Sequence, residues 1–158
     1  MIVILTNSKK MKEDLRKLFL RDLDKLEKEI NAYHHKPAIW HTDGTISNSA
    51  GNLCKHLTGN LRHFLGHILG SSDYVRDREA EFSTPHLSKV DLNLEIGLAK
   101  EAINLTFDQL DSTKIQKIYP IEVFGHKMTV QYFLFHLLSH LNYHLGQVNY
   151  HRRLLDKS

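Results

Sequence analysis

The sequence predicts an all-α fold: a four-helix bundle with a long connection between helices two and three and a small β-hairpin before helix four. Apolar residues recur at threes and fours in four separate stretches, the period of a helix with one buried face. The first two stretches end at breakers, Pro37 and Gly70. Only Ile121–Val130 has a strand-like pattern around a turn, at Gly125-His126.

The first helix is expected from about Asn7 to Tyr33, with Met11, Leu15, Leu18, Phe19, Leu23, Leu26, Ile30 and Tyr33 turned inward. Lys, Arg, Glu and Asp fill the gaps and make its other face a solvated one. Pro37 to Ser47 is a connector, with Trp40 expected as a buried anchor and Asp43-Gly44 as a turn. Ser47 or Asn48 is placed to cap the second helix, which runs to about Leu69.

Ser71 to Leu87 reads as a loop too long to be a simple bundle turn, which leaves room for a crossover. Its mixed charges suit a solvated surface. Arg76 and Arg78 are expected to pair with Glu79 or Glu81, an alternative to holding an acidic substrate group. Ser88 with Asp91 forms a capping-box pattern opening a third helix to about Leu110. The alternation Asp91-Leu-Asn-Leu-Glu-Ile96 also fits a strand, so this helix is better defined in its middle than at its start. Thr129 caps the fourth helix, which ends near Asp156.

At 158 residues the chain suits a single domain, 1–158, with enough length to bury a core. Charged residues form 25% and hydrophobic ones 41%, ordinary for a globular protein. The net charge of +3 comes from interspersed acids and bases, so no block is suited to tracking a nucleic-acid backbone. No partner nucleic acid or membrane is expected; the apolar opening Met1–Leu5 is too short for a signal core or a span. Cys54 is the lone cysteine, which fits a reducing compartment and a cytoplasmic location. Histidine is the unusual residue, with twelve copies against one tryptophan.

Three histidines, His136, His140 and His144, follow one another at intervals of four in the last helix. Imidazoles one turn apart on one face have the spacing that two ligands of one metal ion need. At about 100° per residue, the apolar stripe of this helix runs through Leu134, Leu137, Leu141, Leu145 and Val148. His144 falls inside that stripe, His140 and His151 at its edge, and His136 further toward water. The pair His140 and His144 therefore ranks first. A third ligand is expected from helix two, where His56, His63 and His67 form their own line. Periodicity does not choose among them, although distance from the stripe favours a surface role for His63 and His67.

Two stretches resemble the DinB-like (YfiT-like) superfamily of metal-dependent enzymes. One is Ser47-Asn-Ser-Ala-Gly-Asn-Leu-Cys-Lys-His56-Leu-Thr-Gly-Asn60; the other is His140-Leu-Asn-Tyr-His144-Leu-Gly-Gln147-Val-Asn-Tyr150-His-Arg-Arg153. The order of elements is similar as well. The resemblance implies that His56, His140 and His144 are the metal ligands. Asn60, one turn past His56, and Gln147, three residues past His144, are then candidates to orient the ligands, against a plainer reading as helix-surface amides.

Three neutral imidazoles leave a divalent cation, Zn or Ni, strongly Lewis acidic with at least one open position. The resemblance implies a transferase in which the cation activates a low-molecular-weight thiol for attack on an electrophile, with a small-molecule substrate. A hydrolase using metal-bound hydroxide is the alternative, and a non-catalytic metal- or ligand-binding homodimer is another. No separate nucleophile is identified: Cys54 and His56 are two residues apart and point to different helix sides.

Overall fold

The computed structural model describes residues 2–83, 86–111 and 113–156, with side chains from Lys9 onward. The loop residues Thr84 and Pro85 and the outermost ends of the expected 1–158 domain lie outside them. The described residues are helical and contain no strand. Four long helices are present: α1 (Ile2–Asn31), α2 (Ala50–Leu61), α4 (Lys89–Gln109) and α5 (Val130–Leu155). A single-turn helix, α3 (Ala80–Ser83), lies in the connection between α2 and α4.

Helix boundaries follow their caps. Ser49 Oγ accepts from Asn52 N at 3.2 Å and starts α2, one residue beyond the expected Ser47 or Asn48. Ser88 and Asp91 form the full capping box of α4, so the alternating Asp91–Ile96 segment is helix. Thr129 caps α5 through Tyr132 N at 3.1 Å. The helix-two region does not run evenly to Leu69. After Leu61 it widens into a π-helical turn, Arg62–His67.

Side-chain contacts set the helix directions. Arg16 reaches Asn104 and Lys100 reaches Glu27, so α1 and α4 run antiparallel. Asn142 reaches Asp22 and Asn149 reaches Glu29, so α1 and α5 run parallel. Arg62 pairs with Glu95, and Thr106 donates to the Leu65 carbonyl, which makes α2 and α4 parallel. His56 meets His140 and Phe64 meets Phe133, so α2 and α5 are antiparallel. The core between them holds Phe19, Leu23, Leu57, Leu61, Ile96, Phe107, Phe133 and Leu141, each at most 1% exposed.

Because α2 and α4 are parallel, the chain must travel back along α2 before α4 can start. The return is laid against α2 step by step. The Tyr74 ring lies 4.0 Å from the Arg62 guanidinium. Lys55 donates to the Ala80 carbonyl at 2.5 Å and Asn52 to the Glu81 carbonyl at 3.0 Å. Finally the Trp40 indole, which stacks on His86, donates to the Leu87 carbonyl. Trp40 also lies flat against Gly51, where any Cβ would overlap its ring.

The expected hairpin at Ile121–Val130 is replaced by one antiparallel bridge, Ile118 to Thr129. Tyr119 N donates to the Met128 carbonyl and Val130 N to the Lys117 carbonyl. Gly125 does turn the chain, at φ +74°. Ile121 and Phe124, both ahead of the turn, remain exposed, so the segment buries too little apolar surface to hold further rungs.

Candidate metal centre

α2 and α5 face each other across the site, each contributing from its inner edge. His56, His140 and His144 come together there, with one ring nitrogen from each within 4.8 Å of the others. The Nε2 atoms of His56 and His140 are 3.2 Å apart. Nitrogens at the corners of a tetrahedral zinc site, with Zn–N of about 2.0–2.1 Å, lie about 3.4 Å from one another. The donor set and its spacing thus fit one divalent cation.

Ring orientation is fixed from behind. His56 Nδ1 lies 2.9 Å from Glu81 Oε2. A carboxylate only accepts, so Nδ1 carries the proton and Nε2 presents its lone pair to the site. His144 is held the same way: its Nδ1 donates to Gln147 Oε1 at 2.6 Å. Backing of an imidazole by an acceptor is the usual arrangement for a metal-ligating histidine.

Glu81 is held in turn by Arg76, whose Nε and Nη2 reach its two oxygens at 2.7 and 2.9 Å. Burial works against the Glu81 charge, but the hydrogen bonds from His56 and Arg76 outweigh it and hold the carboxyl below its ordinary range. Glu81 is therefore an ionised acid at 4% exposure, buried with both partners in place. The expected Arg76–Glu81 pair forms. Its link to His56 was not anticipated, since Glu81 sits in a stretch that reads as solvated loop. The only local signal is that it lies between Ala80 and Phe82 in an otherwise charged run.

His140 and His144 are poised neutral. Burial, then the neighbouring His144 and His56, push His140 down to about 4. Burial also lowers His144, against the Gln147 hydrogen bond. At neutral pH both rings offer lone pairs without first losing a proton.

Among the described residues no hydrogen bond joins Asn60 to His56; Glu81 holds the ring nitrogen facing away from the site. The Asn60 side chain is buried and its Oδ1 has no partner among the described residues. His136 is half-buried, not turned to water, and stacks on Phe133 beside the site. His63 and His67 stack on each other along the π turn. His151 is buried in the α1–α5 interface: its Nδ1 lies 2.7 Å from the Tyr33 hydroxyl and its Nε2 2.8 Å from the His41 carbonyl. None of these four belongs to the convergent group.

A cavity of about 360 Å³ opens beside His56 and His140. Phe64, Phe124, Phe133 and Leu137 make its apolar wall, and Asn60, Arg76, Arg78 and His136 supply its polar groups. No helix among the described residues is long and apolar enough to cross a membrane. A family model described as "Protein of unknown function (DUF1572)" matches residues 6–158. No curated protein matches the chain.

Proposed function

We propose, for a chain that belongs to the DUF1572 family of proteins of unknown function, a DinB-like four-helix bundle that binds one divalent cation and uses it as a thiol S-transferase. His56, His140 and His144 are the ligands in this reading. The observation that carries it is the convergence of their three ring nitrogens within 4.8 Å, on a site where Glu81 and Gln147 already orient two of the rings.

Zinc and nickel both suit three imidazoles. When bound, such a cation supplies the Lewis acidity that turns a small thiol into a thiolate near neutral pH. The protein's own groups do the rest. Glu81 and Gln147 keep the protons of His56 and His144 on Nδ1, away from the site. Arg76 keeps Glu81 ionised and in place. The phenylalanine wall shields one side of the site from water, and the cavity admits an electrophile next to the thiol. The buried lone Cys54, raised well above its ordinary range by burial, is no competing nucleophile. A cytoplasmic setting suits a small-thiol co-substrate.

The deciding experiment is metal analysis of the purified protein together with a thiol-plus-electrophile screen, using chelated protein as control. About one divalent cation per chain is expected, as for a single three-ligand site. Replacing His140 or His144 with alanine removes it, whereas His63→Ala does not. Full metal content in the doubly substituted protein would overturn the site; a flat screen with metal retained would overturn the transferase reading alone.

A further inference from the structure

The cavity beside the three histidines has a chemical character of its own. Its lining includes two arginines and three histidines but no carboxylate. Arg76 is tied to Glu81 through two of its nitrogens. Arg78 lines the same cavity, exposed, and has no hydrogen-bond or ion-pair partner among the described residues. An unpaired guanidinium at a pocket mouth is a fork for a planar anion, and carboxylate matches it with two parallel hydrogen bonds.

Asn60, which lines the same cavity, is 8% exposed, and its Oδ1 accepts no hydrogen bond from the described residues. A buried acceptor left without a donor is rare in a folded protein and marks where a ligand N–H or O–H belongs. The same cavity is walled by Phe64, Phe124 and Phe133. Phe133 is packed at 1% exposure, while Phe124, edge-on to His136 with ring centroids 4.7 Å apart, is 44% exposed and offers apolar surface to a guest. The volume of about 360 Å³ is at the small end for a ligand pocket.

We infer that this cavity binds a small carboxylate with an aromatic or branched apolar body and an amide N–H, in the manner of an N-acyl amino acid. The carboxylate lies on Arg78, the N–H donates to Asn60 Oδ1, and the body rests on the phenylalanines. This assignment rests on the His56, His140 and His144 reading for its function, because it places the substrate's other end over those rings. The binding itself depends only on the cavity.

The test titrates N-acetyl-L-phenylalanine, its primary amide and 3-phenylpropionate against the full chain, both chelated and zinc-loaded, by calorimetry. The free acid is expected to bind about tenfold or more tightly than the amide, the scale of a charge-assisted hydrogen bond. Arg78→Gln should abolish that preference without altering metal content. Asn60→Leu should abolish the preference for the N-acetyl compound over phenylpropionate. Equal binding of acid and amide, no binding, or an acid preference that survives Arg78→Gln overturns the proposal. Acid-selective binding to a chain that takes up no metal would leave the cavity assignment standing and remove the proposed function. Normal metal uptake with no acid binding would do the reverse.

Discussion

Glu81 Oε2 lies 2.9 Å from Nδ1 of His56, a residue 25 positions earlier in the chain. The contact exists because α2 and α4 are parallel and the connection between them must return along α2. One architectural requirement therefore delivers an ionised, buried carboxylate to the rear of a candidate ligand. Removing it by Glu81→Gln keeps an acceptor of the same shape but loses the charge. Glu81→Ala loses both and leaves Arg76 facing His56. Zinc affinity, measured by competition with a chelating dye, should fall about 10–100-fold in the alanine variant, the range found when such backing groups are lost. The glutamine variant should fall less. Gln147→Leu should have the smaller effect of the two sites, because exposed Gln147 can be replaced by water. Unchanged affinity in Glu81→Ala would show that the carboxylate serves packing only.

Much of this site is legible along one helix and little of it between helices. His140 and His144 are separated by one turn of α5, so spacing alone puts them on one face. His56 is a different case. It shares α2 with His63 and His67, and choosing among them requires the register of α2 against α5, which only packing sets. The resemblance named His56; periodicity did not. Glu81 is legible only as one of two acids that could pair with Arg76, since a charged loop gives little sign of which acid it buries and none of its reach to His56. The same limit explains Asn60: a residue one turn from His56 need not reach the ring nitrogen that another element already holds.

The later long helices are legible because each carries its own cap and its own apolar face, whereas α1 has no such cap among the described residues and begins at Ile2, ahead of the expected Asn7. Ser88 with Asp91 and Thr129 open α4 and α5 where their patterns begin. The hairpin was overread because a turn glycine and alternating residues say nothing about whether two strands will have a surface to cover.

Metal should stabilise the fold as well as equip it, because its ligands lie on α2 and α5 and link two antiparallel helices. At free zinc about 100 times the dissociation constant, binding contributes about 2.7 kcal/mol. Unfolding in urea should therefore shift to lower midpoint on chelation and return on adding zinc. The doubly substituted His140→Ala, His144→Ala protein should show one midpoint whether or not zinc is present. A zinc-dependent shift in that variant would place the stabilising ion elsewhere.

Tyr33 and His151 give a pH dependence remote from the metal centre. Burial, opposed by the His41 carbonyl, lowers His151 from its ordinary 6.5. Its Nε2–H donates to that carbonyl and Nδ1 accepts from the Tyr33 hydroxyl, so the folded ring is satisfied in its neutral form. The unfolded chain takes up this proton near pH 6.5, and the folded chain only at lower pH. Below 6.5 the unfolded state therefore binds more protons, and stability declines as pH falls. His151→Gln should make that decline shallower in chelated protein, read from urea unfolding at several pH values, with the lowered His140 and His144 supplying the slope that remains. Tyr33→Phe should destabilise by about 1–3 kcal/mol at neutral pH by leaving Nδ1 without its donor. An unaltered slope in His151→Gln would assign the pH dependence to other groups.

Gly59 offers a way to disturb the site without replacing a ligand or its backing group. A Cβ there would overlap Glu81 Oε1, the oxygen that receives Arg76 Nε, and would approach the Tyr74 hydroxyl at 3.3 Å. Its place within helix α2 would ordinarily favour alanine over glycine by about 1 kcal/mol. The two effects oppose each other. Helix propensity favours the substitution, whereas the displaced carboxylate must give up its geometry with Arg76 and His56. Because the overlapping atom is the end of a side chain, the carboxylate can move aside, and Gly59→Ala should fold with stability within about 1–2 kcal/mol of the parent. Its zinc affinity should nevertheless drop in the same direction as Glu81→Ala, and combining the two substitutions should add little, since both act through one group. Full additivity in that double-mutant cycle would mean that Gly59 and Glu81 affect the site independently, and that the return of the chain along α2 does not govern the orientation of His56.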